Sequence, residues 1–117
     1  MLRRTKASTI MPLPGNIWLA DIPFTSGAAS KLRPVLILWT DAADAVVAAV
    51  TSSAPRSPSD VPLRDWQAAG LRVVSTVRLA RLDCLEQTLL RRCLGSITSV
   101  DAANLKQIWN NHIQLRF

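Results

Sequence analysis

The feature that most constrains this fold is a pair of apolar segments with a short polar turn between them. Residues 35–40 and 45–52 are near-continuous apolar runs rich in Val, Ile and Leu. Runs of this length and composition predict strands with little exposure to solvent. The residues between them, Asp41-Ala42-Ala43-Asp44, predict a turn, so the two strands are expected to pair as an antiparallel hairpin.

Polar groups lie where this hairpin ends. Lys31-Leu32-Arg33-Pro34 leads into the first strand, and Thr51-Ser52-Ser53 closes the second. Proline has no N–H to donate to a ladder, which predicts Pro34 as the first residue of its strand. Because the strands are adjacent, the cations and the hydroxyl groups can converge at one end of the sheet. Spacing alone leaves two interpretations open: a reactive site on a rigid scaffold, or an arginine that flanks a strand beside hydroxyls that open a turn.

Shorter elements are predicted on either side of the hairpin. An alternating strand over 16–21 is ended by Pro23, and a loop follows over 25–30. After the hairpin, a Pro- and Ser-rich loop over 53–60 precedes a brief strand over 61–63. A single helical turn over 65–70 then stops at Gly70.

The C-terminal part predicts a long strand and one helix. Apolar and polar residues alternate over 72–82, which predicts a half-exposed strand with Arg78 facing outward. Residues 84–94 predict a short helix or a turn, ended by Gly95. Thr98-Ser99-Val100-Asp101 resembles a capping box and begins a helix that extends to about His112. One broad face of this helix is expected to carry Val100, Ala103, Leu105, Ile108, Trp109 and His112.

Together these elements describe a mainly β chain with a C-terminal helix, folded as a small, strongly curved antiparallel barrel. The chain has 117 residues and 12.8 kDa, enough for a single core. We expect one domain over residues 13–117, preceded by a disordered basic tail over 1–12. An upstream start, with Met11 as the natural beginning, is the other interpretation of that tail.

The charge of the chain is strongly basic. Eleven arginines and three lysines oppose eight acids, giving a net charge of +6 and a pI near 10.7. The excess is either a solubility surplus or the mark of a polyanionic partner, and the arginine bias favours bidentate contacts to phosphate. Cys84 and Cys93 do not have zinc-site spacing and are expected in the core, in a reducing cytoplasm. No apolar run approaches the ~20 residues of a membrane helix.

Several reaction classes lack the residues that they need. The single histidine, His112, is expected to pack or to cap its helix, so acid–base chemistry by two histidines within one chain is excluded. The acids are scattered singly and predict no metal site, and no nucleotide-binding glycine motif is present. A guanidinium beside a hydroxyl suits a phosphodiester, and RNA supplies its own 2′-OH nucleophile. No cofactor is therefore expected.

From residue 15 onward, the chain resembles the PemK/MazF family of type II toxin–antitoxin endoribonucleases. The resemblance depends on the order and spacing of motifs, each weak alone: Gly15-Asn16-Ile17-Trp18, Pro23-Phe24-Thr25, Ser30-Lys31-Leu32-Arg33-Pro34, Val50-Thr51-Ser52-Ser53, Val61-Pro62-Leu63, Gly70-Leu71, Ser75-Thr76-Val77-Arg78 and Leu94-Gly95-Ser96-Ile97.

The resemblance implies an SH3-like barrel, a homodimer, and metal-independent cleavage of single-stranded RNA to 2′,3′-cyclic phosphate and 5′-OH ends. It also implies a cognate antitoxin that neutralises the protein. It places the catalytic groups at Arg33 and Thr51. RNA-binding roles are implied for Lys31, Ser52, Ser53, Asn16 and Arg78, although a solvated position is nearly as good an interpretation of Arg78.

Two positions depart from the family pattern. Asn16 stands where the family usually has an acidic residue, and the loop over 25–30 lacks a glutamate that many members carry. An alternative is therefore a non-catalytic binder, or a toxin on the same barrel that targets DNA gyrase.

Overall fold

The computed structural model describes residues 10–23 and 29–117. The predicted loop over 25–30 lies mostly outside the described residues, as does most of the predicted tail over 1–12. The described elements are β1 (Asn16–Pro23), β2 (Ser30–Asp41), β3 (Asp44–Thr51), β4 (Asp60–Pro62), β5 (Thr76–Glu86), a 3₁₀ turn (Gln87–Leu89), β6 (Leu90–Ser96) and α1 (Ser99–His112).

All six strands belong to one sheet with the order β4-β5-β3-β2-β1-β6, and every described pairing is antiparallel. This confirms a mainly β chain with a C-terminal helix. Among the described strands no ladder joins β4 to β6, so these two strands are the edges of a curved sheet that does not close.

The central hairpin forms as predicted. β2 and β3 pair from Val35↔Ala49 to Asp41↔Asp44, and the turn between them consists of Ala42 and Ala43. Ala42 has a φ of 53°, in the left-handed region that tight hairpin turns require.

The prediction for Pro34 is wrong, because β2 begins at Ser30. Pro34 pairs with Leu19 of β1, whereas the ladder with β3 begins one residue later, at Val35. The ring therefore interrupts pairing on one side of the strand only, which a residue without an N–H can tolerate.

The apolar runs are continuous because both faces of the hairpin are covered. Alternate residues such as Leu36 and Ala48 enter a cluster that packs against Leu105 of α1. Their neighbours, such as Ile37 and Val47, enter a second cluster with Trp18. We call these the helix-side cluster and the strand-side cluster. Residues 35–38 and 45–50 are buried or partly buried, as the sequence predicted, whereas Trp39, Thr40 and Ser52 at the ends of the runs are exposed.

The second half of the sheet differs from prediction. β5 begins four residues later than expected, and Val73 and Val74 before it are 54% and 65% exposed. Its pairing with β3 skips from Arg78 to Leu82, so a bulge over 79–81 breaks the alternation.

Residues 84–94 form neither a helix nor an isolated turn. They supply the end of β5, a 3₁₀ turn and most of β6, and Gly95 lies within β6 rather than ending an element. Leu85 and Leu90 are buried in the strand-side cluster, which favours the extended conformation over the local helix propensity. The core prediction for the cysteines is wrong for Cys84, which is exposed, whereas Cys93 is partly buried.

The helix α1 begins where the sequence predicts, but its cap is arranged differently. The hydroxyl of Thr98 accepts a hydrogen bond from the N–H of Asp101. Instead of reaching back to Thr98, the buried Asp101 carboxylate accepts N–H groups of Arg64 and Asp65, each at 2.9 Å. Thr98 in turn donates to the carboxylate of Asp65 at 2.8 Å. The start of α1 is thereby tied to the turn after β4.

The predicted face of α1 is only partly correct. Leu105 is buried and Ile108 and Trp109 are partly buried, whereas Val100, Ala103 and His112 are exposed. The other buried residue of α1 is Asp101. The face that packs against the sheet therefore begins at Asp101 and not, as predicted, at Val100. The Trp109 ring meets Trp39 of β2 edge to face, with centroids 6.1 Å apart. No described helix is long and apolar enough to span a membrane.

Gly70 ends the predicted helical turn in a position that only glycine fits. The N–H groups of Gly70 and Leu71 donate to the carbonyls of Gln67 and Trp66, the Schellman pattern of hydrogen bonds. Gly70 has a φ of 90°, and a Cβ there would overlap the backbone carbonyl of Leu94 in β6. This segment and β6 are therefore in direct backbone contact.

Gly70→Ala is expected to lower the free energy of unfolding by about 3 kcal/mol or more, since strain and overlap with backbone add. Gly15→Ala is the matched control: Gly15 has a similar φ of 92°, but its Cβ would meet only Ile97 at 3.8 Å. It is expected to cost about 1 kcal/mol from backbone strain alone. Urea unfolding measures both variants, and equal losses would contradict the role assigned to the Gly70–Leu94 contact.

Candidate functional site

The site forms at the open end of the β2–β3 hairpin. The pair Val35↔Ala49 is the last of the ladder. Arg33 lies two residues before it and Thr51 two residues after it, so the register brings both to the same end of the hairpin. Arg33 is exposed and Thr51 is partly buried. The predicted convergence of the arginine and the hydroxyl therefore occurs.

Two grooves meet at this position. One has a volume of about 620 Å³ and the other about 660 Å³. Both are lined by Arg33, Pro34, Val50 and Thr51. A chain bound in either groove would thus pass the same guanidinium and the same hydroxyl.

The Thr51 hydroxyl is held by the turn that follows it. Its Oγ1 accepts a hydrogen bond from the N–H of Ser53 at 3.1 Å. One lone pair of the oxygen is thereby used, and its proton remains able to donate to an incoming acceptor. Ser53 contributes to the site through its backbone, and Ser52 lines the smaller groove.

The smaller groove, named here the Arg72–Arg92 groove, is lined by four cations and, among the described residues, by no carboxylate. Two of the cations, Lys31 and Arg33, belong to the predicted set. The other two are Arg72, from the segment after Gly70, and Arg92, from β6. Thr51, Ser52 and Ser75 also line it, together with apolar residues.

The larger groove, named here the Arg78–Arg81 groove, has a more balanced charge. Its cations are Arg33, Arg78 and Arg81, and Asp83 also lines it. Arg78 is not free: its Nε lies 3.4 Å from Oδ1 of Asp60, whose side chain is 3% exposed. The other oxygen of Asp60 accepts the N–H of Arg56 at 2.9 Å. The carboxylate thus fixes both the guanidinium and the loop after Thr51.

The structure does not bring Asn16 to this site within one chain. Arg33 pairs with Ala20 of β1, and Asn16 lies four residues further along that strand, about 13 Å away. Its amide donates to Ser96 at 2.8 Å, and its Oδ1 accepts the N–H of Leu13 at 2.9 Å. Asn16 fastens the lead-in segment to β6, and its contact with RNA stays a prediction.

Sequence reasoning missed Arg72, Arg81 and Arg92. Their places depend on the chain reversal at Gly70, the bulge in β5 and the existence of β6, none of which local periodicity indicates. The arginine excess was the only signal for them, and it gives no positions.

Asp21 and Arg91 form an ion pair beside the smaller groove. Arg91 Nη2 lies 3.1 Å from Oδ2 of Asp21. A hydrogen bond from the Ser30 side chain, and then the Arg91 guanidinium, hold the pKa of Asp21 below its ordinary value. Arg91 therefore differs from its neighbour Arg92 in having a carboxylate partner.

Comparison with known proteins identifies the family. Residues 13–112 match the model of the PemK-like, MazF-like toxin of type II toxin–antitoxin systems. The match covers most of the chain, so the protein belongs to this family of toxins. No curated protein sequence gives a match.

Solved structures share the fold at low sequence identity. An endoribonuclease from Mycobacterial species in complex with its cognate antitoxin superposes with a TM-score of 0.70 at 19% identity, covering 92% of this chain and 99% of that one. The Mycobacterium tuberculosis toxin MazF-mt6 gives a TM-score of 0.69 at 22% identity, covering 87% and 99%. MazF from Deinococcus radiodurans gives 0.65 at 23% identity, covering 87% and 96%.

Asp60→Asn is expected to lower the free energy of unfolding by about 1–3 kcal/mol, because the amide cannot neutralise Arg78 and cannot serve both hydrogen bonds equally. Asp83→Asn is the matched control in the same groove. Asp83 is exposed, so its loss is expected to stay within about 0.5 kcal/mol. Urea unfolding of both variants checks this, and equal effects would argue against a structural role for the Asp60–Arg78 pair.

Proposed function

We propose that this toxin is a metal-independent endoribonuclease that cleaves single-stranded RNA at specific sequences through Arg33 and Thr51. The observation that carries the proposal is that these two residues line both grooves at the end of one rigid hairpin. A further support is the set of similar structures, which are described as endoribonucleases and MazF toxins. Cleavage of messenger RNA in the cytoplasm would stop translation and growth.

The reaction needs orientation and charge stabilisation more than a protein nucleophile. The 2′-oxygen of the nucleotide before the cleaved bond attacks phosphorus, and the bond to the 5′-oxygen breaks. The 2′-OH proton passes to water in the open groove, and water returns a proton to the leaving 5′-oxygen. The products are a 2′,3′-cyclic phosphate and a 5′-OH.

Arg33 and Thr51 would act on the phosphate. The Arg33 guanidinium offers two parallel N–H donors to the non-bridging oxygens and offsets the charge that builds on the five-coordinate phosphorus. Because arginine stays protonated, we assign it charge stabilisation rather than a base role. The Thr51 hydroxyl, held by the N–H of Ser53, donates to the same phosphate and aligns it for attack. Lys31, Ser52 and Ser53 are proposed to bind the RNA next to it.

Two protein partners are part of the proposal. A similar endoribonuclease is described in complex with its cognate antitoxin, and we infer an antitoxin whose acidic or apolar segment covers the grooves. We also infer a homodimer. In a dimer Asn16 could serve the site of the other subunit, which would reconcile its predicted RNA contact with its distance from Arg33.

RNA cleavage is expected to persist in EDTA, because the proposed chemistry draws on the guanidinium, the hydroxyl and the 2′-OH alone. Products should carry 5′-OH ends that polynucleotide kinase labels directly, and RNA that is 2′-O-methylated throughout should remain intact. Protein carrying Arg33→Ala, purified identically, controls for contaminating ribonuclease. No fragments from varied RNA sequences would overturn the proposal, and inhibition of gyrase supercoiling instead would select the alternative toxin activity.

Substitution of the two central residues is expected to separate their roles. Arg33→Ala should lower the cleavage rate by roughly 100-fold or more, and Arg33→Lys should recover only part because a single point charge replaces the fork. Thr51→Val removes the hydroxyl at nearly constant shape and should slow cleavage by roughly 10-fold or more, whereas Thr51→Ser should retain most of the rate. The thermal unfolding midpoint of each variant must equal that of the unsubstituted protein, so that a lower rate reflects the site and not the fold. A Thr51→Val variant with full activity would refute the role assigned to Thr51.

A further inference from the structure

The two grooves that meet at Arg33 differ in charge that is available to a ligand. In the part of the chain that the structure describes, the Arg72–Arg92 groove has four cations and no carboxylate in its lining. The Arg78–Arg81 groove has three cations, but Arg78 is paired with Asp60 and Asp83 lies in the wall. A polyanion therefore meets much more uncompensated positive charge in the first groove.

Arg72 and Arg92, the cations that distinguish the first groove, have no carboxylate partner among the described residues. Among residues 10–23 and 29–117, the ion pairs are Arg78–Asp60 and Arg91–Asp21, so neither Arg72 nor Arg92 takes part in one. Both side chains are exposed. Their guanidinium groups can bind a ligand without first breaking an internal ion pair.

The positions of the two arginines are set by the backbone. Arg92 of β6 pairs with Leu19 of β1, and Leu19 pairs with Pro34 of β2. One strand, β1, therefore lies between Arg92 and β2. Arg72 follows the Gly70 turn, whose backbone is in contact with Leu94 of β6. The two cations thus flank one groove and lie on elements that contact each other.

We propose that the Arg72–Arg92 groove binds the backbone of single-stranded RNA next to the cleaved bond, with Arg72 and Arg92 each binding a phosphate. This inference depends on the proposed function for the identity of the ligand. Arginine is suited to this role because its planar fork matches two phosphate oxygens. The Arg78–Arg81 groove, where Asp60 and Asp83 offset two of the three arginines, is left for groups other than phosphate.

The salt dependence of binding tests this assignment without requiring cleavage. The probe is a 2′-O-methylated single-stranded RNA, which lacks the nucleophile, titrated from 50 to 200 mM salt. Each phosphate contact contributes about 0.7 to the slope of log K against log salt. Arg72→Ala and Arg92→Ala are each expected to reduce the slope by about 0.7 and to weaken binding uniformly across RNA sequences.

Two arginine controls make the test specific. Arg91→Ala removes the adjacent arginine that is engaged with Asp21, and Arg81→Ala removes an exposed arginine of the other groove. Both are expected to leave the slope nearly unchanged. Equal reductions in all four variants, or none in Arg72→Ala and Arg92→Ala, would overturn the assignment. Binding of poly-glutamate, an acidic peptide, is measured with the same variants. If Arg72→Ala and Arg92→Ala lose poly-glutamate binding while RNA binding is unchanged, the groove binds an acidic protein segment and the assignment is overturned.

The outcome is separable from that of the proposed function. If unmodified RNA is not cut but the slopes fall in Arg72→Ala and Arg92→Ala alone, the groove is a phosphate site on a protein that is not a nuclease. If RNA is cut but the four variants have the same slope, the proposed nuclease activity is supported, and the Arg72–Arg92 groove does not bind the RNA backbone.

Discussion

The register of the β2–β3 hairpin is the constraint on which the rest of the molecule depends. With Val35 opposite Ala49, one set of side chains enters the helix-side cluster and the other enters the strand-side cluster. A slip of one residue would exchange the two sets and would also move Arg33 away from Thr51. The same register therefore fixes the core and the candidate active site. Hydrophobic burial on both faces, rather than any contact within the site, holds Arg33 and Thr51, the proposed catalytic pair, in place.

Buried carboxylates complete the arrangement around this hairpin. Asp101 fastens the start of α1 to the turn after β4 through two backbone N–H groups. Asp60 joins the loop after Thr51 to Arg78 of β5. Each carboxylate is buried and accepts hydrogen bonds from residues outside its own helix or strand, which is how a small domain orders loops without disulfides. Asp60 holds Arg78, which lines a groove, so it is expected to influence the site through the shape of that groove.

The sequence predicted the parts of the fold that local signals determine. The hairpin, the Thr98 cap and the stop at Gly70 each follow from a few adjacent residues. β6 did not, because residues 84–94 contain good helix formers and only their burial against distant strands makes them extended. The bulge in β5 shifted the expected alternation for a similar reason. In the candidate site, Arg33 and Thr51 were found because both flank the hairpin.

The remaining arginines were not found, because Arg72 and Arg92 approach the groove from segments whose positions are set by tertiary contacts. The family resemblance added roles to residues already singled out. It also grouped Asn16 with Arg33 and Thr51, whereas within one chain the structure places Asn16 away from them. Sequence patterns thus predict the site residues that flank one hairpin. They do not predict site residues that come from several strands brought together by the fold.

The close contact between Gly70 and β6 has a consequence for how the smaller groove could evolve. Its two walls meet through backbone atoms with no side chain between them, so the separation of the walls cannot be tuned gradually by exchanging one side chain for a slightly larger one. Relatives that keep this contact inherit a groove of fixed width and can vary only the groups that project into it. The ligand preference of this groove would then diversify through substitutions on the walls, while the spacing of the walls stays the same.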